Sequence, residues 1–274
     1  MWAKKGCPQS SKAIPQGLGI GNCAVYSNIS EQKRAELDIK EALKKEQELN
    51  ELKSRFVSMA SHEFRTPLTA ILSSATLIGK LNQPGKEERR EKYVKQIESN
   101  VQNLVVILND FLSMSRLEEG KTSFQPEPFD LVQLSKLVVD EIETSKKEGQ
   151  KITLKHDRPT ILVTLDSKLM RHILVNLISN AIKYSAENTK IDIAITSQDN
   201  KAMIQVSDQG IGISPEEHYN LFDRFFRAKN ATNIQGTGLG LHIVKQYTEL
   251  MGGTVNFKSE VGKGTTFFVE FPVG

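Results

Sequence analysis

One long stretch with almost no helix-breaking residue constrains the fold most strongly. Between Glu31 and Leu81 the chain is rich in Glu, Lys, Ala and Leu, and it contains only one proline, Pro67, and one glycine, Gly79. These residue types predict a single long helix. Apolar residues at heptad spacing predict a buried stripe along it, weak at first and then formed by Leu49, Leu52, Phe56, Met59, Phe64, Leu68, Ile71, Ala75 and Ile78.

A second helical pattern begins after a predicted turn at Asn82–Gly85 and extends from Glu87 to Leu117. Its heptad stripe is formed by Val94, Ile97, Val101, Leu104, Leu108, Phe111 and Ser115, widened by Val105, Ile107 and Leu112. Two antiparallel helices with such stripes carry too much apolar surface to stand alone. Pairing two hairpins into a four-helix bundle would bury both stripes, so the pattern predicts a homodimer.

The character of the sequence changes after Gly120, where Pro126 and Pro128 mark a linker. Beyond it, helices and short strands alternate. The predicted helices are Asp130–Lys147, Ser167–Tyr184 and Gly238–Met251. The predicted strands are Ile152–His156, Ile161–Thr164, Lys190–Ser197, Lys201–Asp208, Thr254–Ser259 and Thr265–Phe271. The predicted fold class is therefore multi-domain: an all-α hairpin followed by an α+β sandwich with helices on one face of a mixed sheet.

Charge and cysteine content exclude several classes of protein. The net charge of +3 is too small to indicate nucleic acid or an anionic membrane as a partner. Cys7 and Cys23 form no metal-type cluster and are typical of a reducing compartment. No apolar run approaches the roughly 20 residues that span a bilayer, and the N-terminus lacks the apolar core of a secretory signal. We therefore expect a cytoplasmic segment, either soluble or anchored through a preceding region.

His62 is a candidate reactive residue on the first helix. It lies two residues before Phe64, so it should be exposed on the face opposite the stripe, with Glu63 beside it and Thr66 one turn further on the same side. Pro67 should bend the axis close to the histidine. Zinc hydrolases need a second histidine where Thr66 stands, which excludes that metal site. A solvated surface histidine remains the alternative interpretation.

Three polar residues share one face of the helix predicted at 167–184. Asn176, Asn180 and Lys183 follow one another at helical spacing, although asparagine is a poor residue for a helix interior. Amide oxygens can ligate Mg²⁺ together with phosphates, and a lysine can pair with phosphate as a point charge. The alternative is polar decoration of a solvated helix.

Two glycine-rich motifs follow. Asp208-Gln209-Gly210-Ile211-Gly212 ends a strand, where the glycines allow close approach of backbone and ligand, and the carboxylate can accept from an exocyclic amine. The sequence Gly236-Thr237-Gly238-Leu239-Gly240-Leu241 immediately precedes a helix, so its N–H groups can cradle phosphate. It lacks the spacing of a dinucleotide fingerprint and the G-K-[ST] ending of a P-loop.

The order of these motifs resembles a known family. The string His62-Glu63-x-x-Thr66-Pro67-Leu68 resembles the phosphoacceptor motif of sensor histidine kinases. The N-x-x-x-N-A-x-K-Y-S, D-x-G-x-G and G-T-G-L-G-L motifs resemble the ATPase superfamily shared by gyrase, the mismatch-repair ATPases and histidine kinases. The segment Leu221–Arg227, with its phenylalanines, is similar to the histidine-kinase version. The resemblance covers residues from about 50 to 274.

This resemblance implies a site for ATP and Mg²⁺. Asn180 would ligate Mg²⁺ with Asn176 next to the triphosphate, and Asp208 would accept a hydrogen bond from the adenine amine. A lid is expected at about Ser214–Gln235, mobile without nucleotide in its second part. The other members would contact phosphate (Lys183 and Arg227) or line, frame and close the pocket (Tyr184, Gly210, Gly212, Phe222, Gly236, Thr237, Gly238, Leu239 and Gly240).

The implied activity is ATP-dependent phosphorylation of His62, with Lys183 and Mg²⁺ offsetting charge and Glu63 taking or orienting the ring proton. The phosphoryl group would then pass to an aspartate of a response regulator, and Thr66 would orient water in a phosphatase reaction towards that partner. Two alternatives are a nucleotide-binding scaffold that transfers nothing and an ATPase clamp of the gyrase or mismatch-repair kind. The scaffold would have lost a motif residue such as His62 or Asn180, and the clamp would lack the hairpin.

The resemblance also suggests how the chain divides. We expect a dimerisation and phosphotransfer domain at 55–120 and a catalytic ATP-binding domain at 126–274, preceded by a coiled-coil signalling linker at 31–54. Glycines and prolines interrupt residues 1–30, where Ile20–Tyr26 predicts a short strand. The run around this strand resembles the end of a PAS sensor domain, and an unrelated leader is the alternative.

Overall fold

The computed structural model describes residues 19–81, 85–234 and 236–273. The chain divides into two compact units, Met1–Met59 and Ala60–Gly274. The described part of the first unit is helical and belongs to helix α1 (Gly19–Lys80), whose later residues lie in the second unit. Where their burial is described, the apolar side chains of the first unit are exposed or only half-buried, which agrees with the weak apolar stripe in its sequence.

The short strand predicted at Ile20–Tyr26 is wrong, because these residues are helical. A lone strand needs a neighbour for its backbone hydrogen bonds, and none of the strands in the described part of the chain pairs with this segment. A helix satisfies the same groups within the segment. Residues 1–18, and residues 82–84 of the predicted turn, lie outside the described residues. Gly85, which completes that turn, has a φ of +84°.

In the second unit, the end of α1 and helix α2 (Glu87–Glu118) form the predicted hairpin. The helix continues through Pro67, which is buried. The rings of Phe64 and Phe111 lie 5.8 Å apart, and Ile107 and Met114 are buried.

Only part of the predicted stripe on these two helices is covered within a single chain. The large apolar residues that stay exposed are Leu68, Leu72, Leu77, Val94, Val101, Val105, Val106, Leu108 and Leu112. The expectation that Leu68 and Ala75 are buried is therefore wrong for one chain, because one hairpin cannot cover both sides of its own apolar surface.

The remainder of the second unit is built from strands and helices in the predicted order. The strands are β1 (Glu127–Asp130), β2 (Lys151–His156), β3 (Leu162–Leu165), β4 (Lys190–Gln198), β5 (Lys201–Ser207), β6 (Thr254–Glu260) and β7 (Gly264–Pro272). The helices are α3 (Leu131–Ile142), α4 (Ser167–Tyr184) and α5 (Gly240–Leu250), with 3₁₀ turns at Glu143–Ser145, Pro215–Asn220 and Lys229–Ala231.

The main sheet has the strand order β2-β4-β5-β7-β6, and β1 pairs with β3 in a separate two-stranded sheet. Strands β2 and β4 are parallel and the other neighbours are antiparallel, so the sheet is mixed as predicted. Alternate residues of β4 and β5 point to the core, among them Ile193, Ile195 and Ile204, which are completely buried. Helix α4 covers this face with Ile173 and Leu177. Burial of each such side chain contributes about 1.5–3 kcal/mol.

Two aspartates define where the helices begin. Asp166 accepts hydrogen bonds from the N–H groups of Lys168 and Leu169, and therefore caps α4. Asp130 caps α3 by accepting from the N–H of Val132. The local signals of an N-cap followed by an apolar periodicity explain why the sequence predicts these helices correctly.

Two boundaries differ from the sequence prediction. The helix predicted to reach Lys147 ends at Ile142 and continues only as a 3₁₀ turn. Strand β1 was not predicted because Pro128 is typical of a linker, yet β1 pairs with a single neighbour, where a proline is tolerated. Across the described ranges of the chain, no helix has the length and apolarity needed to cross a membrane.

Candidate functional site

A cavity opens where the C-terminal half of α4, the end of β5, the loop before α5 and strand β7 meet. Five of the residues predicted for the nucleotide site line it: Asn180, Tyr184, Asp208, Gly212 and Arg227. The other lining residues are Ile211, Ile213, Leu221, Phe226, Ala228, Asn230, Ala231, Leu241, Thr265 and Phe267. The site thus has an apolar wall with few polar groups, which is typical of a small-molecule pocket.

Asp208 supplies a fixed carboxylate in this cavity. Its Oδ1 accepts hydrogen bonds from the N–H of Gly210 at 2.8 Å and from the N–H of Thr265 at 3.2 Å. Burial raises the pKa of Asp208, and these two main-chain hydrogen bonds oppose the rise. The backbone therefore sets the orientation of an acceptor group against the apolar wall. From its sequence Thr265 was predicted to begin the last strand and was not predicted as a site residue.

The two glycines of the D-x-G-x-G motif are needed by the protein itself. Gly212 has a φ of +65°, and a Cβ there would lie 2.0 Å from the carbonyl oxygen of Glu260. A Cβ on Gly210 would lie 2.7 Å from Asp208 Oδ1 and from the carbonyl oxygen of Tyr184. Both positions exclude a side chain because backbone segments meet there.

The glycine-rich segment 236–241, the glycine box, leads into α5 and lies against the polar face of α4. A Cβ on Gly236 would lie 2.4 Å from Lys183 Nζ, and one on Gly240 would lie 2.5 Å from Asn176 Oδ1 and 4.0 Å from Asn180 Nδ2. The face predicted from helical spacing is therefore brought against the box. The other members of the box are Thr237 and Leu239, which are buried, and Gly238, which has a φ of +69°.

The C-terminal end of α4 is held by residues that the sequence did not indicate. Lys147 Nζ donates to the carbonyl oxygens of Lys183 and Ser185, at 2.8 and 2.7 Å. The buried Gln150 donates through Nε2 to the carbonyls of Ile182, Ser185 and Ala186. These bonds satisfy the carbonyls that a helix end leaves unpaired. They also fix the turn that carries Lys183, whose Nζ lies 3.1 Å from the hydroxyl of Tyr184.

Arg227 organises the second part of the predicted lid. Its Nη2 donates to the carbonyl oxygens of Ala231, Thr232 and Ile234, at 3.2, 2.9 and 2.7 Å. Asn230 Nδ2 joins the same segment to the cavity by donating to the carbonyl of Gly212 at 2.8 Å. The predicted contact of Arg227 with phosphate stays a prediction.

Phe222 does not line the cavity. Its ring packs against the rings of Phe257 and Phe267, at centroid distances of 5.8 and 6.5 Å, and Phe267 does line the cavity. The carbonyl oxygen of Phe222 also lies 2.9 Å from His242 Nδ1. Phe222 therefore supports the wall from behind.

His62 is exposed as predicted, with 76% of its side chain accessible, and its Nδ1 lies 3.8 Å from Glu63 Oε1. Glu63 itself is buried, which the sequence did not indicate. Arg227 Nη1 lies 3.9 Å from the same Glu63 oxygen, so the carboxylate faces the predicted lid. Thr66 lies one turn beyond His62 and donates its hydroxyl to the His62 carbonyl at 3.3 Å.

Two further contacts join α2 to the same region. Thr237 Oγ1 donates to Asp110 Oδ2 at 2.8 Å, and Arg224 forms an ion pair with Glu118. Burial raises the pKa of Asp110 to about 6, and the Thr237 hydrogen bond and the charge of Lys183 oppose this rise. Asp110 was missed in the sequence, although a carboxylate between Leu108 and Phe111 in an apolar run was a usable signal.

Two family models match the chain in the order of these two parts. "His Kinase A (phospho-acceptor) domain" matches residues 52–120, and "Histidine kinase-, DNA gyrase B-, and HSP90-like ATPase" matches residues 165–274. The fold and the site therefore define a phosphoacceptor domain joined to an ATPase domain. The curated relatives that the chain matches include sensor histidine kinases, and the chain belongs to the sensor histidine kinases of two-component systems.

Two relatives illustrate the extent of the similarity. The chain is 35% identical over 238 residues to the circadian input-output histidine kinase CikA of Synechococcus elongatus, covering 85% of this chain and 31% of that protein. It is 32% identical over 271 residues to the autoinducer 2 sensor kinase/phosphatase LuxQ of Vibrio cholerae, covering 96% and 31%. The chain spans between 11% and 51% of the length of such curated relatives.

Solved structures show the same fold. Full-length ShkA in complex with AMPPNP is 29% identical, with a TM-score of 0.58 over 78% of this chain and 44% of that one. Histidine kinase ThkA in complex with the response regulator protein TrrA is 24% identical, with a TM-score of 0.60 over 92% of this chain and 67% of that one.

Proposed function

We propose that this chain transfers the γ-phosphoryl group of ATP to His62 and passes it to an aspartate of a response regulator. The observation that carries the proposal is the combination, in one chain, of an exposed histidine beside a carboxylate and a cavity framed by Asn180, Asp208 and the glycine box. The chain's own residues supply the acceptor and the nucleotide site.

The cavity fits a nucleotide. Asp208 offers an oriented acceptor for an exocyclic amine among apolar residues, and ShkA, which shares the fold, was solved with AMPPNP. In the glycine box, Gly240 lies against Asn176 and Gly236 lies against Lys183. A side chain at either glycine would collide with these residues where phosphates would bind.

The donor set also fits Mg²⁺ shared with phosphates. Across the described ranges no group of three or more His, Cys, Asp or Glu residues is placed to hold a metal by itself. The amide oxygen of Asn180 would contribute one ligand, and the ion would neutralise charge on the phosphates.

At the acceptor, Glu63 lies on the Nδ1 side of the His62 ring. A carboxylate on that side favours the tautomer with the proton on Nδ1, which leaves the lone pair of Nε2 free. Nε2 would form a bond to the γ-phosphorus as the bond to the leaving ADP oxygen breaks. Glu63 then stabilises or accepts the Nδ1 proton of the charged ring.

His62 does not line the cavity in this arrangement, and the buried Glu63 faces Arg227. We infer that the ATP-binding part leaves this position before transfer. Transfer within one chain and transfer between two chains are both compatible with such a movement.

We further propose a homodimer that uses the exposed stripe of the hairpin, and a receiver domain as the second partner. A phosphatase reaction towards that receiver would use water oriented by Thr66, whose hydroxyl lies one turn from His62. The relative LuxQ carries both activities in its name, which supports this second reaction.

Incubation with radiolabelled ATP and Mg²⁺ tests the proposal. We expect acid-labile, base-stable label on the wild type and its loss, by at least about a hundredfold, in His62→Gln and in Asn180→Asp, because one variant lacks the nucleophile and the other the metal ligand. His156→Gln is the matched control, since His156 is exposed on β2 and should keep full labelling. Label that persists in His62→Gln would refute the assignment of the acceptor.

A further inference from the structure

The half-buried carboxylate of Asp110 has no part in the proposed phosphoryl transfer. It lies on α2, where it is the acceptor of the hydrogen bond from Thr237 Oγ1 at 2.8 Å. Thr237 is itself buried, stands between the two glycines Gly236 and Gly238, and also accepts from the N–H of Leu239 at 3.2 Å. A side chain of the hairpin is thus bonded directly to the middle of the glycine box.

The surroundings of this contact are the phosphate side of the proposed nucleotide site. Lys183 lies close enough to lower the pKa of Asp110, and its Nζ is also the atom that a Cβ on Gly236 would meet. Asp110 therefore brings a negative charge, in a desolvated position, to the cation and the loop that would receive the phosphates. Such a charge interacts strongly because little water screens it.

We propose that Asp110 is a positioning residue that opposes nucleoside triphosphate binding, since its carboxylate holds Thr237 and offsets part of the positive charge of Lys183 while the hairpin is docked. This inference rests on the proposed ATP site. Docking of α2 through Asp110 and occupation of the site by a triphosphate then exclude or weaken one another. The high pKa of the group agrees with a carboxylate that is held at a cost in free energy.

The same coupling explains how a nucleotide would release the acceptor side of the molecule. Asp110, Glu118 and Glu63 on the hairpin face Thr237, Arg224 and Arg227 on the ATP-binding part. A triphosphate that displaces Asp110 from Thr237 weakens the docked arrangement in which Glu63 is covered. Binding of the substrate and exposure of the catalytic carboxylate would therefore be linked.

Titration calorimetry with Mg-ATP, Mg-ADP and adenosine tests the inference on wild type and Asp110→Asn. Asparagine keeps an oxygen for Thr237 and removes only the charge. We expect the Kd for ATP to fall about three- to tenfold, that for ADP to fall less, and that for adenosine to stay unchanged, since repulsion scales with ligand charge. Asp110→Ser, with its fold checked by circular dichroism, should change the three constants in the same order.

Glu91→Gln is the matched control. It removes one negative charge from an exposed position of α2, where Glu91 pairs with Lys95 of the same helix, and should leave the ratio of the three constants unchanged. An unchanged Kd for ATP in Asp110→Asn, or an equal change for adenosine, would overturn the inference and leave the ATP site intact. A wild type that binds none of the three would instead overturn the proposed function, and the inference with it.

Discussion

At the scale of single residues, the site depends on polar side chains whose surroundings change their chemistry. Glu63 is buried, and its Oε1 lies 3.8 Å from His62 Nδ1 and 3.9 Å from Arg227 Nη1, so one carboxylate oxygen faces both the ring and the guanidinium. Arg227 is engaged by three carbonyls of its own segment, which orients its second nitrogen towards Glu63. The surroundings of Glu63, the acid next to the acceptor His62, therefore depend on Arg227, which lies 164 positions later in the chain.

Asp110 should give the stability of the chain a characteristic pH dependence. Its pKa rises from 3.8 to about 6 on folding, so the folded chain binds the proton more tightly than the unfolded chain. The charged carboxylate therefore destabilises the folded chain, and this destabilisation is complete above about pH 6. It disappears as the pH falls from about 6 towards 3.8. Chemical denaturation between pH 4 and 8 measures this change in the free energy of unfolding.

The comparison with Asp110→Asn isolates this group from the histidines that titrate in the same range. At pH 7.5 the free energy of unfolding should be lower for the wild type than for the variant. This difference between the two proteins should be larger at pH 7.5 than at pH 4, by an amount on the order of 2–3 kcal/mol. A difference that stays constant over this range would contradict the raised pKa.

At the scale of secondary structure elements, α4 carries most of the polar site and is fixed at both ends. Asp166 caps its first turn, and Lys147 and Gln150 take up the carbonyls of its last turn. The polar stripe of α4 faces the glycine box while its apolar stripe packs on the sheet. A rotation or fraying of this one helix would therefore displace Asn180 and Lys183 together.

Gln150→Ala should destabilise the chain by about 1–3 kcal/mol, because it leaves buried carbonyls at the end of α4 without a donor. The same variant should raise the Kd for ATP through the displaced Lys183. Urea denaturation gives the first quantity and calorimetry the second. Gln133→Ala, in an exposed position of α3, is the control and should change stability by less than about 0.5 kcal/mol. Equal stability of the two variants would rule out this capping role.

At the scale of the whole molecule, the single chain leaves an apolar face of the hairpin uncovered. Leu68, Leu72 and Leu108 are about half exposed or more, and they belong to the heptad surface of the two helices or adjoin it. Exposed apolar area of this kind is rare on a monomer and typical of an interface. In the proposed homodimer a second copy would supply the matching surface, because the hairpin presents the same stripe in both chains.

Leu108→Glu should shift the dimer towards monomer, since it places one charge from each chain in the apolar interface. Light scattering coupled to size-exclusion chromatography measures the mass, and a rise in the dimer Kd of a hundredfold or more, corresponding to about 3 kcal/mol, is expected. Leu162→Glu is the control, because Leu162 is equally apolar and exposed but lies on β3. A dimer that is unaffected by Leu108→Glu would place the interface elsewhere.

Much of the architecture could be read from local patterns. The periodicities predicted the hairpin, α4 and six of the seven strands to within about two residues, and helical spacing placed Asn176, Asn180 and Lys183 on one face. These features depend on side chains close in sequence, whose directions follow from the backbone geometry of a helix or strand. The exposure of His62 follows from the same rule.

Contacts between distant segments could not be obtained in that way. Thr237 and Asp110 are 127 residues apart, Glu63 is buried by Arg227, and the glycines of the D-x-G-x-G motif meet Glu260 and Tyr184. Such contacts arise only when the hairpin packs on the ATP-binding part and the sheet closes, which no local spacing encodes. The sequence by itself determined the elements, their faces and the motifs. Tertiary packing alone decided which charges meet, and with them the coupling of docking to nucleotide binding.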